Sequence, residues 1–289
     1  MLEREIARKL LEVEDLPTLP AIMQRVLAVV ESDRSSAQDL TKILEQDMAI
    51  SARILRLANS AFYGLRFQVD SIRRAVVVVG FEAVRMLALA TSVFDTLSKR
   101  RQFAFDPDEF WLHALGAAKA AQLLAEHLAP GAEVAERLFT SGLLHDIGKY
   151  CLALALGGEY RAAVEQSMAE KADLHTIEMA RLETTHAHAG QWVAQKWRLP
   201  PAIVASIGFQ FRPEVSPQEH RTEVAAVTLA SDLARQAGFG VAGDYGPIQW
   251  RGQAVLGLTD DIRNQVLDEL RNNKDEARRF LTILDNRDS

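Results

Sequence analysis

The sequence predicts an all-α protein, and three observations support this fold class. Apolar residues recur every three or four positions in most segments, as on one face of a helix. Helix-starting residues such as Asp47 and Ser71 precede these segments, and glycine or proline follows many of them. The valines at 76–79 are the one stretch with strong β propensity. Ser71 ahead of them and Gly80 behind them favour a short helix even there.

The N-terminal part of the chain is expected to form a module of short helices. The prolines of Leu16–Pro20 interrupt any earlier helix, and the second of them is well placed to start the next one. Ser35 opens a capping box for a second helix, and Asp47 is a suitable N-cap for a third. The third helix is expected to end near Gly64, because glycine tolerates the left-handed conformation.

Longer helices are expected in the rest of the chain. Helices are predicted at 82–97, 108–127, 174–182, 186–197 and 224–237. A further helix is predicted to end near 144, one to pass through 160–164, one to begin near 200, and two short ones to lie within 259–284. The basic run 99–101 marks a domain boundary, so we expect an N-terminal helical subdomain (1–105), a helical bundle (106–240) and a C-terminal helical extension (241–289). The helices after Thr259 are interpreted as a packing cap, with a homodimer contact as the alternative.

The composition is that of an ordinary globular protein. Of 289 residues, 48% are hydrophobic and 25% are charged, and the net charge is −6. Such an acidic chain is not expected to bind nucleic acid along its length. No apolar run approaches the roughly 20 residues that cross a bilayer, and no secretory signal is present, so a cytoplasmic protein is expected. One cysteine, Cys151, excludes an internal disulfide and a cysteine-rich zinc site.

The segment Ser141–Lys149 contains an unusual adjacent pair, His145 and Asp146, at the end of an apolar helix. His113 lies one helix earlier and Asp232 several helices later, each on a predicted buried face. Two imidazoles and two carboxylates suit one divalent ion, which could be Mn, Fe, Ni, Zn or Mg, with open positions for water and phosphate. The sequence therefore predicts a single metal site.

Two further residues extend this predicted site. His186 could add a ligand, and Lys149, one turn beyond the His-Asp pair, is placed where a cation could contact a phosphate. A lone buried histidine is more often a hydrogen-bonded core residue than a ligand, so the prediction depends on the set. The remaining histidines belong to no such pattern and are interpreted as surface residues; they are His127, His175, His188 and His220.

The order of these residues resembles the HD superfamily of metal-dependent phosphohydrolases. Over about Leu16 to Ala237 the chain is more similar to one branch, the HDOD domain. The similar motifs are Leu16–Pro20, Leu40–Asp47, Ile54–Ala61, Ser71–Ala75, Val79–Gly80, Phe110–His113, Gly142–Lys149, His186–Gly190 and Trp197–Pro200. The Asn-Ser-Ala segment at 59–61 is the most specific, since HD enzymes in general lack it. The resemblance implies an HDOD-specific helical subdomain packed on an HD-type helical bundle.

The chain departs from its relatives after Ile207. Where HD-GYP cyclic-dinucleotide phosphodiesterases and many HDOD domains carry a His-His pair, this chain has Gln210 and Phe211. Amide and phenyl groups are poor ligands for a transition metal, so a second metal site is not expected. The Gly-Tyr-Pro signature is also absent, which argues against hydrolysis of cyclic di-GMP.

Two functions from different classes follow from this resemblance. The first is a bacterial regulatory protein, a non-catalytic signal-transduction module with a remnant of the HD metal site. Its partners would be signalling proteins such as a kinase, a response regulator or a transcription regulator. Because the chain begins almost directly at the family module, its input is expected in trans or through the products of neighbouring genes. The alternative is a single-metal phosphohydrolase acting on a nucleotide or phosphate monoester, with Lys149 balancing charge.

A third interpretation concerns the basic N-terminal helices. Between positions 49 and 90 we count six arginines and two acidic residues. The arginines are Arg53, Arg56, Arg66, Arg73, Arg74 and Arg85, and the acidic residues are Asp70 and Glu82. This local excess could contact phosphates of a nucleic acid. An ordinary solvated or internally paired arginine face is favoured over that reading, so nucleic acid is not an expected partner.

Overall fold

The computed structural model describes residues 21–30, 37–60, 65, 67–98, 104–128 and 132–285. The structure is 77% helical, and the described residues contain no strand. The predicted all-α fold class is therefore confirmed. Within the same residues, no helix has both the length and the apolar character needed to cross a membrane.

The described part of the chain contains sixteen α-helices. In order they are α1 (Ala21–Val30), α2 (Ala37–Leu44), α3 (Met48–Ala58), α4 (Ile72–Val78), α5 (Phe81–Ser98), α6 (Pro107–Leu128), α7 (Ala132–Leu144), α8 (Ile147–Leu156), α9 (Gly158–Glu170), α10 (Leu174–Leu182), α11 (His186–Lys196), α12 (Pro201–Gly208), α13 (Arg221–Gln236), α14 (Arg251–Leu256), α15 (Asp260–Asn272) and α16 (Lys274–Asp285). Two short 3-10 turns, Pro213–Val215 and Gln218–His220, precede α13.

The helices form two compact units. The larger unit takes in the described residues from 104 to 274, and the smaller takes in those from 21 to 98 together with 275–285. The division into three domains at 105 and 240 stays a prediction. Four predicted features lie outside the described residues; they are the segment Leu16–Pro20, the cap at Ser35, the helix end at Gly64 and the basic run 99–101.

Helix starts in the smaller unit follow the predicted caps. The Asp47 carboxylate accepts hydrogen bonds from the backbone N–H groups of Ala49 and Ile50, each at 3.0 Å. Ser71 caps α4, and this helix runs through the valines as far as Val78. A helix forms despite the β propensity because one face of α4 is buried and Gly80, at φ +108°, ends it.

The arginine-rich part of the smaller unit is not a uniformly exposed basic face. Arg85 is only 3% exposed. Arg74 lies 3.5 Å from Asp70, one helical turn earlier, in an exposed ion pair. Arg85 is thus buried and Arg74 is paired, and the expectation that nucleic acid is not a partner stays a prediction.

In the larger unit, two helices cross with their backbones in contact. A Cβ atom on Gly148 in α8 would lie 1.8 Å from the carbonyl oxygen of His186 and 2.6 Å from the backbone nitrogen of Gly190, both in α11. Only glycine fits at so short a distance. This crossing places the N-terminus of α8, which follows Asp146, directly beside the first turn of α11.

Candidate functional site

Five of the residues predicted from sequence meet inside the larger unit. They are His113 from α6, His145 and Asp146 from the turn between α7 and α8, Lys149 from α8 and His186 from α11. None of them is more than 2% exposed. We call this group, together with Glu178 of α10 and Ser231 of α13, the polar centre.

Asp146 lies in the middle of the polar centre. Its Oδ2 atom accepts a hydrogen bond from the Lys149 ammonium at 2.6 Å, and it lies 3.4 Å from His145 Nε2 and 3.6 Å from His113 Nε2. Its Oδ1 atom lies 3.4 Å from His186 Nε2. Burial alone would raise the pKa of Asp146, but the Lys149 ammonium and the hydrogen bond and charge of His186 hold it well below its usual range. Asp146 is therefore an ionised carboxylate.

His186 is held by a second buried carboxylate, Glu178. His186 Nδ1 lies 2.7 Å from Glu178 Oε2, and the His186 backbone N–H donates to the same carboxylate at 2.9 Å. The Tyr160 hydroxyl donates to Glu178 Oε1 at 2.8 Å. Burial lowers the pKa of His186, but Glu178 and the hydrogen bonds to both carboxylates outweigh burial and raise it to about 9. His186 is therefore an imidazolium at neutral pH.

The other two imidazoles are neutral. Burial is the largest cause of their lowered pKa values, and it takes that of His113 to about 3. His145 Nδ1 donates to the Gly142 carbonyl oxygen at 2.6 Å, which leaves Nε2 as an acceptor. The Ser231 hydroxyl lies 3.2 Å from His145 Nε2 and 3.3 Å from His113 Nε2. A serine hydroxyl thus stands beside both neutral rings.

Comparison with known proteins assigns the fold to a family. A family model described as the HDOD domain matches residues 16–213, well over half of the chain. The chain belongs to the HDOD family.

Two solved structures share the HDOD fold over almost their whole length. An HDOD domain protein of unknown function from Geobacter sulfurreducens has a TM-score of 0.81 and 26% identity, covering 98% of this chain and 97% of that one. A protein from Shewanella amazonensis SB2B, provisionally assigned as a phosphohydrolase, has a TM-score of 0.75 and 25% identity. The match covers 98% of this chain and 97% of that one.

A curated relative is longer than this HDOD chain. An uncharacterised protein of Treponema pallidum (strain Nichols) is 23% identical over 223 residues, which is 77% of this chain and 43% of that protein. The chain therefore spans less than half the length of the curated relative it matches.

Asp232, the predicted fourth ligand, is engaged elsewhere. Its Oδ2 atom accepts a hydrogen bond from the backbone N–H of Trp250 at 3.1 Å. Burial raises its pKa to about 6, and Arg235 only partly opposes this shift. Among the described residues, the group of potential ligands within 4.8 Å of one another is His113, His145 and Asp146. In the HDOD chain the hydroxyl of the neighbouring Ser231 lies beside the two histidines, and the assignment of Asp232 as a metal ligand stays a prediction.

Replacing Asp232 with asparagine is expected to stabilise the protein by up to about 3 kcal/mol at pH 7. The folded pKa of about 6 exceeds the reference value of 3.8, so ionising Asp232 costs stability progressively as pH rises from 3.8 through 6. Asparagine removes that cost and keeps an acceptor for Trp250. Urea unfolding at several pH values measures the gain, which should vanish near pH 4.

The matched control for this prediction is Asp268→Asn, whose carboxylate is 74% exposed and is expected to matter little. A loss of stability at pH 7 in Asp232→Asn would contradict the predicted cost of ionising this carboxyl group.

Gln210 and Phe211, the residues at the missing histidine positions, both have structural contacts. The Gln210 amide donates to the His145 carbonyl oxygen at 2.9 Å. The Phe211 ring stacks on His175 with centroids 4.1 Å apart and meets the His186 ring edge-on at 5.1 Å. These two side chains therefore cover the polar centre at the place where a second set of ligands would stand.

Glu178 and Ser231 were not identified from the sequence, although a signal for each was present. Glu178 lies four residues after Leu174 and four before Leu182, so it shares the apolar face of its helix. Ser231 follows Val224 by seven residues and lies on the corresponding buried face of α13. A polar residue at the spacing of the apolar residues lies on the buried face of its helix, and it therefore indicates a buried polar contact.

The donor set of the polar centre fits a metal ion by distance, and its charges are already balanced internally. The ligand atoms of His113, His145 and Asp146 are close enough to share an ion. However, Asp146 already faces two internal cations, the Lys149 ammonium at 2.6 Å and the His186 imidazolium at 3.4 Å. In this arrangement the two carboxylates and the two cations balance, so a divalent ion would have to displace the Lys149 ammonium or the His186 proton in order to bind.

Proposed function

We propose that this HDOD protein is a regulatory module of bacterial signal transduction that works without catalytic turnover. The observation that carries the proposal is the internal charge balance at Asp146. In a metal-dependent hydrolase the ion supplies the positive charge that activates water and stabilises the phosphoryl group. Here Lys149 and His186 supply positive charge to the same carboxylate, and as bound side chains they activate no water.

The remaining ligand positions support the same proposal. Ser231 offers a neutral hydroxyl where a carboxylate would be the better ligand, and Gln210 and Phe211 offer no imidazole for a second ion. A module of this kind would act by presenting a surface to a signalling protein such as a kinase, a response regulator or a transcription regulator. We infer that the polar centre keeps the larger unit rigid for that purpose.

A single-metal phosphohydrolase is the second candidate. It is favoured by the proximity of His113, His145 and Asp146 and by the likeness to the Shewanella protein. In this reading a metal would displace the Lys149 ammonium from Asp146, and Lys149 would become free to contact a phosphate.

Metal analysis separates the two candidates. Protein purified without chelators and dialysed against Mn, Fe, Ni or Zn is expected to retain well under one ion per chain, because the buried site is already neutral. Hydrolysis of nucleotides and phosphate monoesters, assayed with each metal, is expected to stay at background. Elemental analysis by mass spectrometry and phosphate release are the measurements.

The control for this experiment is the variant Asp146→Asn. One bound ion per wild-type chain, together with turnover that Asp146→Asn abolishes, would overturn the regulatory proposal in favour of the hydrolase. Trace turnover that is equal in wild type and Asp146→Asn would come from a contaminant and would leave the regulatory proposal standing.

A further inference from the structure

A large surface pocket lies beside the polar centre, on the other side of Phe211. It measures about 890 Å³ and lies between α10, α11, the end of α12 and the start of α14. Small-molecule sites span roughly 300–1,000 Å³. Phe211 lines this pocket and also contacts His186, so its ring separates the pocket from the buried charges.

The charge of the pocket favours an anion. Arg212 and Arg251 both line it, and within the described residues neither guanidinium has an ion-pair or hydrogen-bond partner. Among the described lining residues Glu214 is the one carboxylate beside the two arginines, so positive charge is in excess there. Guanidinium groups bind phosphate oxygens through paired, charge-assisted hydrogen bonds.

Other lining groups favour a planar partner with hydrogen-bonding atoms. Phe209 and Phe211 present aromatic rings to the pocket. His175 and His188, interpreted above as surface residues, are half-buried and line it too. Their imidazole rings add two further planar groups to the lining of the pocket.

We propose that this pocket binds a nucleotide, with its phosphate at Arg212 and Arg251 and its base among the aromatic and imidazole rings. A nucleotide combines a charged phosphate with a planar ring that carries both donors and acceptors. Such a ligand would be an input of the regulatory module, and this role rests on the proposed function. The binding itself requires neither a metal nor turnover.

Isothermal titration calorimetry of the full chain in metal-free buffer tests the proposal. The probes are AMP, GMP, CMP and UMP, with the uncharged nucleosides and inorganic phosphate as partial ligands. At least one monophosphate is expected to bind saturably, and more tightly than its nucleoside or phosphate alone. Arg212→Gln and Arg251→Gln are each expected to weaken binding about tenfold, because each removes a charge-assisted contact.

Arg271→Gln is the matched control, since Arg271 is an exposed arginine of the same unit that pairs with Asp268. It is expected to bind like wild type. The proposal is overturned if no monophosphate binds at millimolar concentration, or if a nucleoside binds as tightly as its monophosphate. It is also overturned if the double variant Arg212→Gln with Arg251→Gln keeps wild-type affinity. None of these results depends on metal content or turnover, so the proposed regulatory function is judged separately.

Discussion

Replacing Lys149 with methionine is expected to destabilise the protein by about 3–5 kcal/mol, the cost of breaking a buried ion pair from one side. Methionine keeps much of the volume of lysine but removes the ammonium that lies 2.6 Å from Asp146. The ionised carboxylate then keeps a single cation, His186, at the longer distance of 3.4 Å. Urea unfolding at neutral pH measures the loss.

Two comparisons make the Lys149 prediction specific. The double variant Lys149→Met with Asp146→Asn removes both charges and is expected to recover much of the lost stability. Lys196→Met, which changes an exposed lysine of α11, is expected to have little effect. A double variant no more stable than Lys149→Met would show that the pair does not behave as a coupled buried ion pair.

The single variant Lys149→Met is also expected to gain affinity for divalent metal ions. Without the ammonium, Asp146 carries a charge that an ion can neutralise, and two neutral imidazoles stand beside it. Manganese or zinc is therefore expected to raise the unfolding midpoint of Lys149→Met and to leave that of wild type unchanged. Equal metal effects on both proteins would contradict the charge argument.

Replacing Glu178 with alanine is expected to cost a similar amount, about 3–5 kcal/mol. Glu178 is fully buried and accepts from the Tyr160 hydroxyl and from both the ring and the backbone of His186. The variant leaves these donors without a partner, and it leaves the His186 charge with Asp146 alone. The pKa of His186 is expected to fall from about 9, which NMR titration of the imidazole measures.

The pH dependence of stability provides a second measurement of the Glu178 effect. In wild type the folded pKa of His186, about 9, lies above its reference value of 6.5. The contribution of His186 is therefore fully present below pH 6.5 and is lost as pH rises through 9. Glu178→Ala should flatten this decline. The exposed Glu165→Ala is the control, and an unchanged His186 titration in Glu178→Ala would refute the assigned partner.

Much of the fold followed from local patterns in the sequence. The spacing of apolar residues and the caps at Asp47 and Ser71 determine where helices begin, because both effects act within one or two helical turns. The valines of α4 were correctly predicted as helical, since a cap, a glycine stop and a buried face together outweighed β propensity. Local chemistry of this kind can be evaluated without knowing the neighbours of a residue.

The site was harder to predict, because its identity depends on distances between helices. His113, His145, Asp146 and Lys149 were selected by residue type, and the structure brings them together. Sequence does not show whether the Ser231 or the Asp232 side chain lies beside the histidines. That depends on how α13 is rotated about its axis, and consecutive helical residues differ by only about 100°. The ion pair of Lys149 with Asp146 was also beyond sequence, because it depends on a distance, and a phosphate contact by Lys149 stays a prediction.

The crossing of α8 and α11 depends on two glycines, whereas the charges of the polar centre depend on other residues. Asp146 and His186 stand at the starts of two helices whose backbones touch at Gly148 and Gly190, so this crossing positions them in addition to the hydrogen bonds of their side chains. Substitutions at Lys149 or Ser231 can therefore alter the electrostatics of the centre while the same helices stay in register. A fold fixed in this way can lose or acquire a metal-dependent reaction through a few side chains, without having to be rebuilt.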